Sequence, residues 1–279
     1  MASEGMATKP GETQENDPTG SWIYLSPHLD DVALSCGGLL CEQAHASLQV
    51  EIWTICAGEP PQGTISAFAA LLEERWGSGS ASVEQRRQED RLSCSYLGAA
   101  ARHFPIPDCI YRRGAESGAF LYPSEESLFG LLHQEEADLV ARLKDVLAEA
   151  VWNNAAGEVK LVCPLALGGH VDHRLVCAAV EQLEQGWPGG NAWYYADYPY
   201  VLTDSTWKAR LLEDGWDSQV FPISASGLDA WQRSVAAHAS QISTFWSDLP
   251  EMERSIRAYC EANGGVRLWR KQRGVNNVA

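Results

Sequence analysis

The run Ser26-Pro27-His28-Leu29-Asp30-Asp31-Val32-Ala33-Leu34-Ser35-Cys36-Gly37-Gly38 decides how this chain folds. Before it stands Trp22-Ile23-Tyr24-Leu25, β-branched and aromatic, the composition of a buried strand. After it, Val32–His45 is rich in Ala, Leu, Cys and Gln and predicts a helix. One imidazole and two adjacent carboxylates therefore sit where a strand passes into a helix. In open α/β sheets ligands bind at that carboxyl edge. Imidazole with carboxylate suits a borderline divalent ion such as zinc, and His28 and Asp31 are spaced to share one, leaving Asp30 to handle a proton. Acidic residues are also ordinary helix N-caps, so this corner alone supports a purely structural reading as well.

A second corner shifts the balance. Gly168-Gly169-His170-Val171-Asp172-His173 also follows an apolar run, Val159–Pro164, and precedes a helix-like stretch, Arg174–Gln185. Capping does not explain two strand-to-helix corners that both carry His and Asp. Between them, Leu48–Cys56 predicts a second strand, joined to the first through one helix and hence parallel to it. A Gly- and Pro-rich loop follows at 57–63, then helices over Phe68–Trp76 and Ser82–Leu97 with a flexible Gly77–Ser80 hinge between them. The charged run Arg86–Arg91 predicts a solvated face with local ion pairs. His103–Pro107 predicts a strand, 110–134 an irregular lid or binding loop, and Glu135–Val151 an amphipathic helix. Ala192–Tyr200 is strand-like and unusually aromatic, which fits either edge packing or a platform for a sugar ring. Further strands are expected near Gln219–Pro222 and Val266–Trp269, with helices near Leu228–Ser240 and Pro250–Glu261. The whole predicts a single Rossmann-like α/β domain over 21–279, its sheet mostly parallel with helices on both faces, behind a flexible tail at 1–20.

Composition narrows the partners. Of 279 residues, 21 are Lys or Arg and 37 are Asp or Glu, a net charge of −16. Such a surface disfavours nucleic acid and anionic membranes and leaves a small molecule or glycan as the expected partner. The eight cysteines are scattered without a Cys-x-x-Cys pair, which disfavours cysteine-ligated zinc and suits small buried hydrophobes. With neither a signal peptide nor a bilayer-spanning stretch, a soluble cytoplasmic protein is expected. The sequence carries no signal for an oligomeric state.

These residues resemble the PIG-L/LmbE-type family of zinc-dependent N-deacetylases. The family's His-Pro-Asp-Asp and later His-x-x-His appear as His28-Leu29-Asp30-Asp31 and His170-Val171-Asp172-His173, with Leu29 and Val171 at the proline positions. Arg86-Arg87-Gln88-Glu89 followed by Leu97-Gly98 is similar to the family's Arg-x-x-Glu…Leu-Gly helix, and Ser240-Gln241 to a late Ser-Gln pair. The resemblance covers Trp22–Glu184. It implies zinc held by His28, Asp31 and His173, a ligand set that ferrous iron accepts as well. It implies Asp30 as general base, and a protonated His170 that stabilises the oxyanion or protonates the amine. Asp172 is expected to orient a neighbouring imidazole, Arg86 and Tyr195 to contact substrate, and His238 to be a pocket residue. The implied reaction is hydrolysis of the acetamide of an N-acetylated amino sugar, in a glycoside, nucleotide sugar or glycosylated metabolite. The alternative is a zinc amidase acting on a non-sugar amide such as a thiol conjugate or an acylated antibiotic. Loops 57–80 and 110–134 are expected to set the substrate. A third reading, a nucleotide-binding module suggested by Gly37-Gly38, lacks Gly-x-Gly-x-x-Gly and places acids where a pyrophosphate would sit.

Overall fold

Strand β1 (Ser21–Ser26) is buried at every position, as a strand covered on both faces must be. The computed structural model to which it belongs describes residues 20–75, 82–152, 158–187, 192–203 and 206–272. From β1 the chain enters α1 (Asp31–His45) and returns in β2 (Gln49–Thr54), parallel to β1 with Leu25 opposite Trp53. Helices α2 (Ala67–Arg75) and α3 (Ser82–Leu97) lead to β3 (Ala100–His103), parallel to β2. The segment 104–136 is irregular apart from α4 (Glu125–Leu128) and two single 3-10 turns. Helix α5 (Ala137–Trp152) then crosses back to β4 (Val159–Pro164), which pairs with β1 on the side away from β2. The chain continues through α6 (Val171–Glu184) to β5 (Trp193–Tyr195), parallel to β4. Last come α7 (Trp207–Glu213), β6 (Trp216–Phe221), α8 (Ala225–Ala237), α9 (Ala239–Phe245), α10 (Leu249–Asn263) and β7 (Val266–Lys271).

The sheet runs β3-β2-β1-β4-β5-β7-β6. Its first five strands are parallel, while β7 is antiparallel to both its neighbours. The chain builds outward from β1 in one direction and then in the other, so strand order reverses between β1 and β4. A crevice opens at the carboxyl ends of two strands at such a reversal, and ligands bind there in doubly wound sheets. Both His-Asp corners lie at those two strand ends. The fold is the expected Rossmann-like one, with α1, α3 and α8 packed on one another and α5 against α6.

Gly37 and Gly38 serve packing within this fold. They lie inside α1, where a Cβ at Gly37 would stand 2.5 Å from the Trp231 ring of α8. Trp231 in turn donates from Nε1 to the Ala33 carbonyl at 2.7 Å. The glycine pair is thus an indole-sized notch in a helix, and the nucleotide-binding reading loses its one feature.

Several expected elements shift. The third strand lies at Ala100–His103, just before Pro105, because proline cannot donate to a ladder; only isolated bridges at Pro105 and Pro107 continue the pairing. The aromatic strand shrinks to three residues, and α7 and α9 were not expected. The Arg86–Arg91 run is only partly solvated: Arg86 and Asp90, one turn apart, are both buried. The Gly77–Ser80 hinge and nearly all of the 1–20 tail fall outside the described residues. Among the described residues no helix is long and apolar enough to cross a membrane.

Candidate active site

Asp30 occupies the N-cap position of α1, yet its side chain makes no capping hydrogen bond. Ser26 Oγ accepts from Val32 N instead, at 3.2 Å. Capping therefore does not account for the first acid, and the second also has other partners. Asp31 Oδ2 accepts from the His28 backbone N–H at 2.7 Å and lies 3.3 Å from His28 Nδ1 and 3.4 Å from His173 Nε2. Each imidazole meets a second carboxylate on its far side. His28 Nε2 is 2.9 Å from Asp172 Oδ2, and His173 Nδ1 is 2.6 Å from Asp197 Oδ1. Carboxylates behind metal-binding histidines fix the tautomer and aim the other nitrogen in this way.

These separations fit a tetrahedral divalent ion. Zinc bonds of about 2.0–2.2 Å place neighbouring donors about 3.3–3.6 Å apart. The two Asp31–imidazole distances fall in that range, and the donor set is two nitrogens and one oxygen with a position left over. His170 adds a third ring, since one nitrogen from each of His28, His170 and His173 lies within 4.8 Å of the others. Asp172 also lies near His28 and Asp108, and near Cys109 and His170, in groupings that could hold an ion. Its oxygens are already engaged, however: Oδ2 accepts from Cys109 N at 3.0 Å and meets His28, while Oδ1 stands 2.5 Å from Arg112 Nη1.

Electrostatics separates neighbours of the same residue type. Burial alone would raise the Asp31 carboxyl, but His173 and His28 hold it well below the usual carboxylate range. Burial would lower His173; Asp31 and Asp197 overcome that and lift it to about 10. His170, three residues away, goes the other way, to about 3, through burial and the positive charge of His28. That direction favours the neutral ring over the protonated one expected from the sequence. His170 is also the N-cap of α6, where its Nδ1 accepts from Asp172 N at 3.2 Å. The remaining proton is therefore on Nε2, which can donate. Asp30 is pushed up by burial and by Asp31, against the pull of Arg86 and His238.

Not every expected contact is at the opening. Arg86 is buried, its Nη2 4.0 Å from Asp30 Oδ1, so it faces the acid before it faces any substrate. Tyr195 is 1% exposed and donates to the Leu25 carbonyl at 3.0 Å; it belongs to the sheet core and offers no platform. His238 is buried too, and neither of its ring nitrogens has a hydrogen-bond partner among the described residues. In the Arg-x-x-Glu helix, Glu89 accepts from Ser240 N at 3.2 Å and from its hydroxyl at 2.6 Å, joining the two family-like motifs. Arg87 binds the Ala57 carbonyl and Glu59, fastening the 57–63 loop.

Two site residues escape a reading of the sequence. Asp197 lies two residues past β5, at the same sheet edge; its Oδ1 meets His173 and its Oδ2 accepts from Leu167 N at 2.9 Å. Its place after a strand is a usable signal, masked by the aromatics around it. Arg112, within the irregular segment, gives no such signal. It bridges Asp172 to Glu136, whose other oxygen takes the Tyr122 hydroxyl, so the expected lid is anchored at its base by a buried ion network.

The match to known proteins follows this anatomy. The PIG-L family model, GlcNAc-PI de-N-acetylase, matches residues 23–184. The chain is 29% identical over 214 residues to 2'-N-acetylparomamine deacetylase of Niallia circulans, covering 72% of this chain and 74% of that protein. It is 35% identical over 187 residues to the Streptomyces fradiae protein of the same name, covering 65% of this chain and 58% of that one. In fold it is similar to teicoplanin deacetylase in a zinc-inhibited form, with a TM-score of 0.74 at 23% identity over 92% of this chain and 100% of the other. The family match spans more than half of the sequence and includes both His-Asp corners, and on that ground this chain belongs to the PIG-L family of de-N-acetylases, which are amide hydrolases.

Proposed function

We propose that this protein is a zinc-dependent N-deacetylase, with ferrous iron as the alternative metal, that removes the acetyl group from an N-acetylated amino sugar within a small glycosylated compound. The observation that carries the reading is the Asp31 oxygen set 3.3 and 3.4 Å from two imidazole nitrogens, with a second acid beside it that neither imidazole engages. The name that both curated relatives carry, 2'-N-acetylparomamine deacetylase, supports the substrate class. A net charge of −16 also suits a polycationic amino sugar, which it would draw in.

His28, Asp31 and His173 would hold the ion. When bound, such an ion lowers the pKa of a coordinated water and polarises an amide carbonyl. The chain's own residues divide the remaining work. Asp30, raised by burial but kept ionisable by Arg86, takes the proton of the attacking water. His170 donates from Nε2 to the carbonyl oxygen as that oxygen gains charge. A neutral donor suits a buried position beside His28 better than a second cation would. Asp30, now protonated, returns its proton to the nitrogen of the breaking C–N bond, so acetate and free amine leave together. The test is acetate release by metal-loaded protein from 2'-N-acetylparomamine and from simple N-acetylglucosaminides. Release from these supports the proposal; release only from acyclic amide conjugates, or from nothing in a broad panel, overturns it.

A further inference from the structure

We propose that Phe129 and Tyr200 form an aromatic slot over the site histidines that takes the C–H face of a pyranose ring, so that a cyclic sugar acetamide is selected over an acyclic one. This inference rests on the deacetylase reading above and adds the source of its substrate preference.

The two rings come from unrelated parts of the chain. Phe129 caps the end of α4 in the irregular segment, and Tyr200 follows the short strand β5. They meet at the imidazoles. The Phe129 ring lies 5.6 Å from that of His170 at 83°, the Tyr200 ring 5.9 Å from that of His173 at 90°, and the two aromatics 6.2 Å from each other at 63°. Neither ring belongs to the apolar core clusters, and Phe129 is 42% exposed. A large apolar face left open directly beside buried polar groups is a feature of ligand sites. The approach of Tyr200 depends on its neighbour. Gly168 has φ +82°, and a Cβ there would lie 2.9 Å from the tyrosine's Cβ and Cγ. Any other residue at 168 would displace the ring from His173.

Stacking suits one face of a sugar, whose axial C–H groups are weakly positive, against the negative face of an aromatic ring. The Tyr200 hydroxyl makes no hydrogen bond among the described residues. Burial and the nearby Asp31 and Asp30 keep it protonated, so it can donate to a sugar oxygen. Tyr195, from the same aromatic run, cannot do so, because its hydroxyl is engaged by Leu25.

The test compares methyl N-acetylglucosaminide with its ring-opened alditol, N-acetylglucosaminitol, which keeps the acetamide and hydroxyls but has no ring face. Wild-type protein should favour the glycoside. Phe129→Ala and Tyr200→Ala should each raise its KM about tenfold with kcat within about threefold, and cost the alditol several-fold less, the residual loss in Tyr200→Ala being that of its hydroxyl. Phe129→Tyr and Tyr200→Phe should restore much of the lost affinity. Metal stoichiometry equal to wild type shows that the site itself is intact. Ligand-observed NMR of glycoside binding reads the same difference without turnover and covers a variant that binds but does not react. Equal kcat/KM for both substrates, or an equal loss on both in the variants, overturns the slot and leaves the deacetylase reading standing. No acetate from either compound or from 2'-N-acetylparomamine removes that reading, and the slot falls with it.

Discussion

The corner after β1 and the corner after β4 carry the same residue types but are held in different ways. His28, of the first corner, takes its orienting acid from the second, through Asp172. His173, of the second, takes its own from beyond β5, through Asp197. The first corner is therefore stapled to the second, and the second to the next strand. The contrast sharpens inside the second corner, where His170 and His173 stand one helical turn apart. One is flanked by two carboxylates and rises to about 10; the other is buried beside a cation and falls to about 3. Residue type places an imidazole at the site, and the charges beside it decide how readily it takes a proton.

The largest expected effect comes from removing one imidazole from each corner. His28→Ala and His173→Ala should each lower metal affinity by more than about a hundredfold, beyond the 10–100-fold loss typical of an outer-sphere change. Competition against a chromogenic chelator measures it. Retention of stoichiometric metal by either variant would show that the two corners do not share one ion. Asp30→Asn asks the complementary question of the acid that no imidazole engages. It should keep the metal and lose about 10²–10⁴ in kcat. The reverse pattern, metal lost and rate kept, would exchange the roles of Asp30 and Asp31.

The staple between the corners is open to a third test. Arg112 is buried between Asp172 and Glu136, and Arg112→Met leaves two carboxylates facing each other without a cation. Breaking a buried network from one side costs about 3–5 kcal/mol, which urea unfolding of the metal-free protein should show. Arg112→Met with Glu136→Gln should recover part of the loss, because one of the unpaired charges is then gone. A variant within about 0.5 kcal/mol of wild type would mean that the irregular segment is not anchored through this residue.

The legible parts of this molecule are those whose signal is local. Each corner announces itself by an apolar run, a break, and His with Asp at the head of a helix. Parallel β1–β2 pairing follows from one intervening helix, and β1 must be central because its Trp22–Leu25 run is apolar on both faces. Asp197, Arg112 and Tyr200 are not legible in this way, since each acts through a partner at least 24 residues away in sequence. Buried charge is the hardest case. Arg86 and Asp90 look like any solvated helix face until the α3 surface is seen to lie against Asp30 and His103. The antiparallel placement of β7 between β5 and β6 is a long-range pairing as well, with no spacing rule to betray it.

The smallest effect tests the opposed histidines directly, through the pH dependence of stability in metal-free protein. A group whose folded pKa lies below its unfolded value contributes stability above the unfolded value and loses it as pH falls. His170 is such a group, with its ordinary value near 6.5 and its folded value about 3. Below about pH 6.5 it should therefore weaken the fold by up to about 1.4 kcal/mol per pH unit, as the unfolded chain takes a proton that the folded one refuses. His173, raised to about 10, behaves in the opposite sense: its contribution is complete below about 6.5 and drains away as pH rises toward 10. Asp31 and Asp172, both held well below the usual carboxylate range, lose their contribution only on the acid side of about pH 4, whereas Asp30 and Asp197, both raised by burial, protonate first in the folded state and oppose the His170 slope above that point. Urea midpoints of His170→Asn should accordingly flatten between pH 6.5 and 4 and keep the wild-type decline above pH 7. In His173→Asn the alkaline decline should shrink by one proton's worth of slope, the remainder belonging to His28, which Asp172 and Asp31 raise as well against the pull of burial. If His170→Asn leaves the acid limb as steep as wild type, its imidazole is already charged in the folded protein, and a neutral Nε2–H donor at that position has to be abandoned.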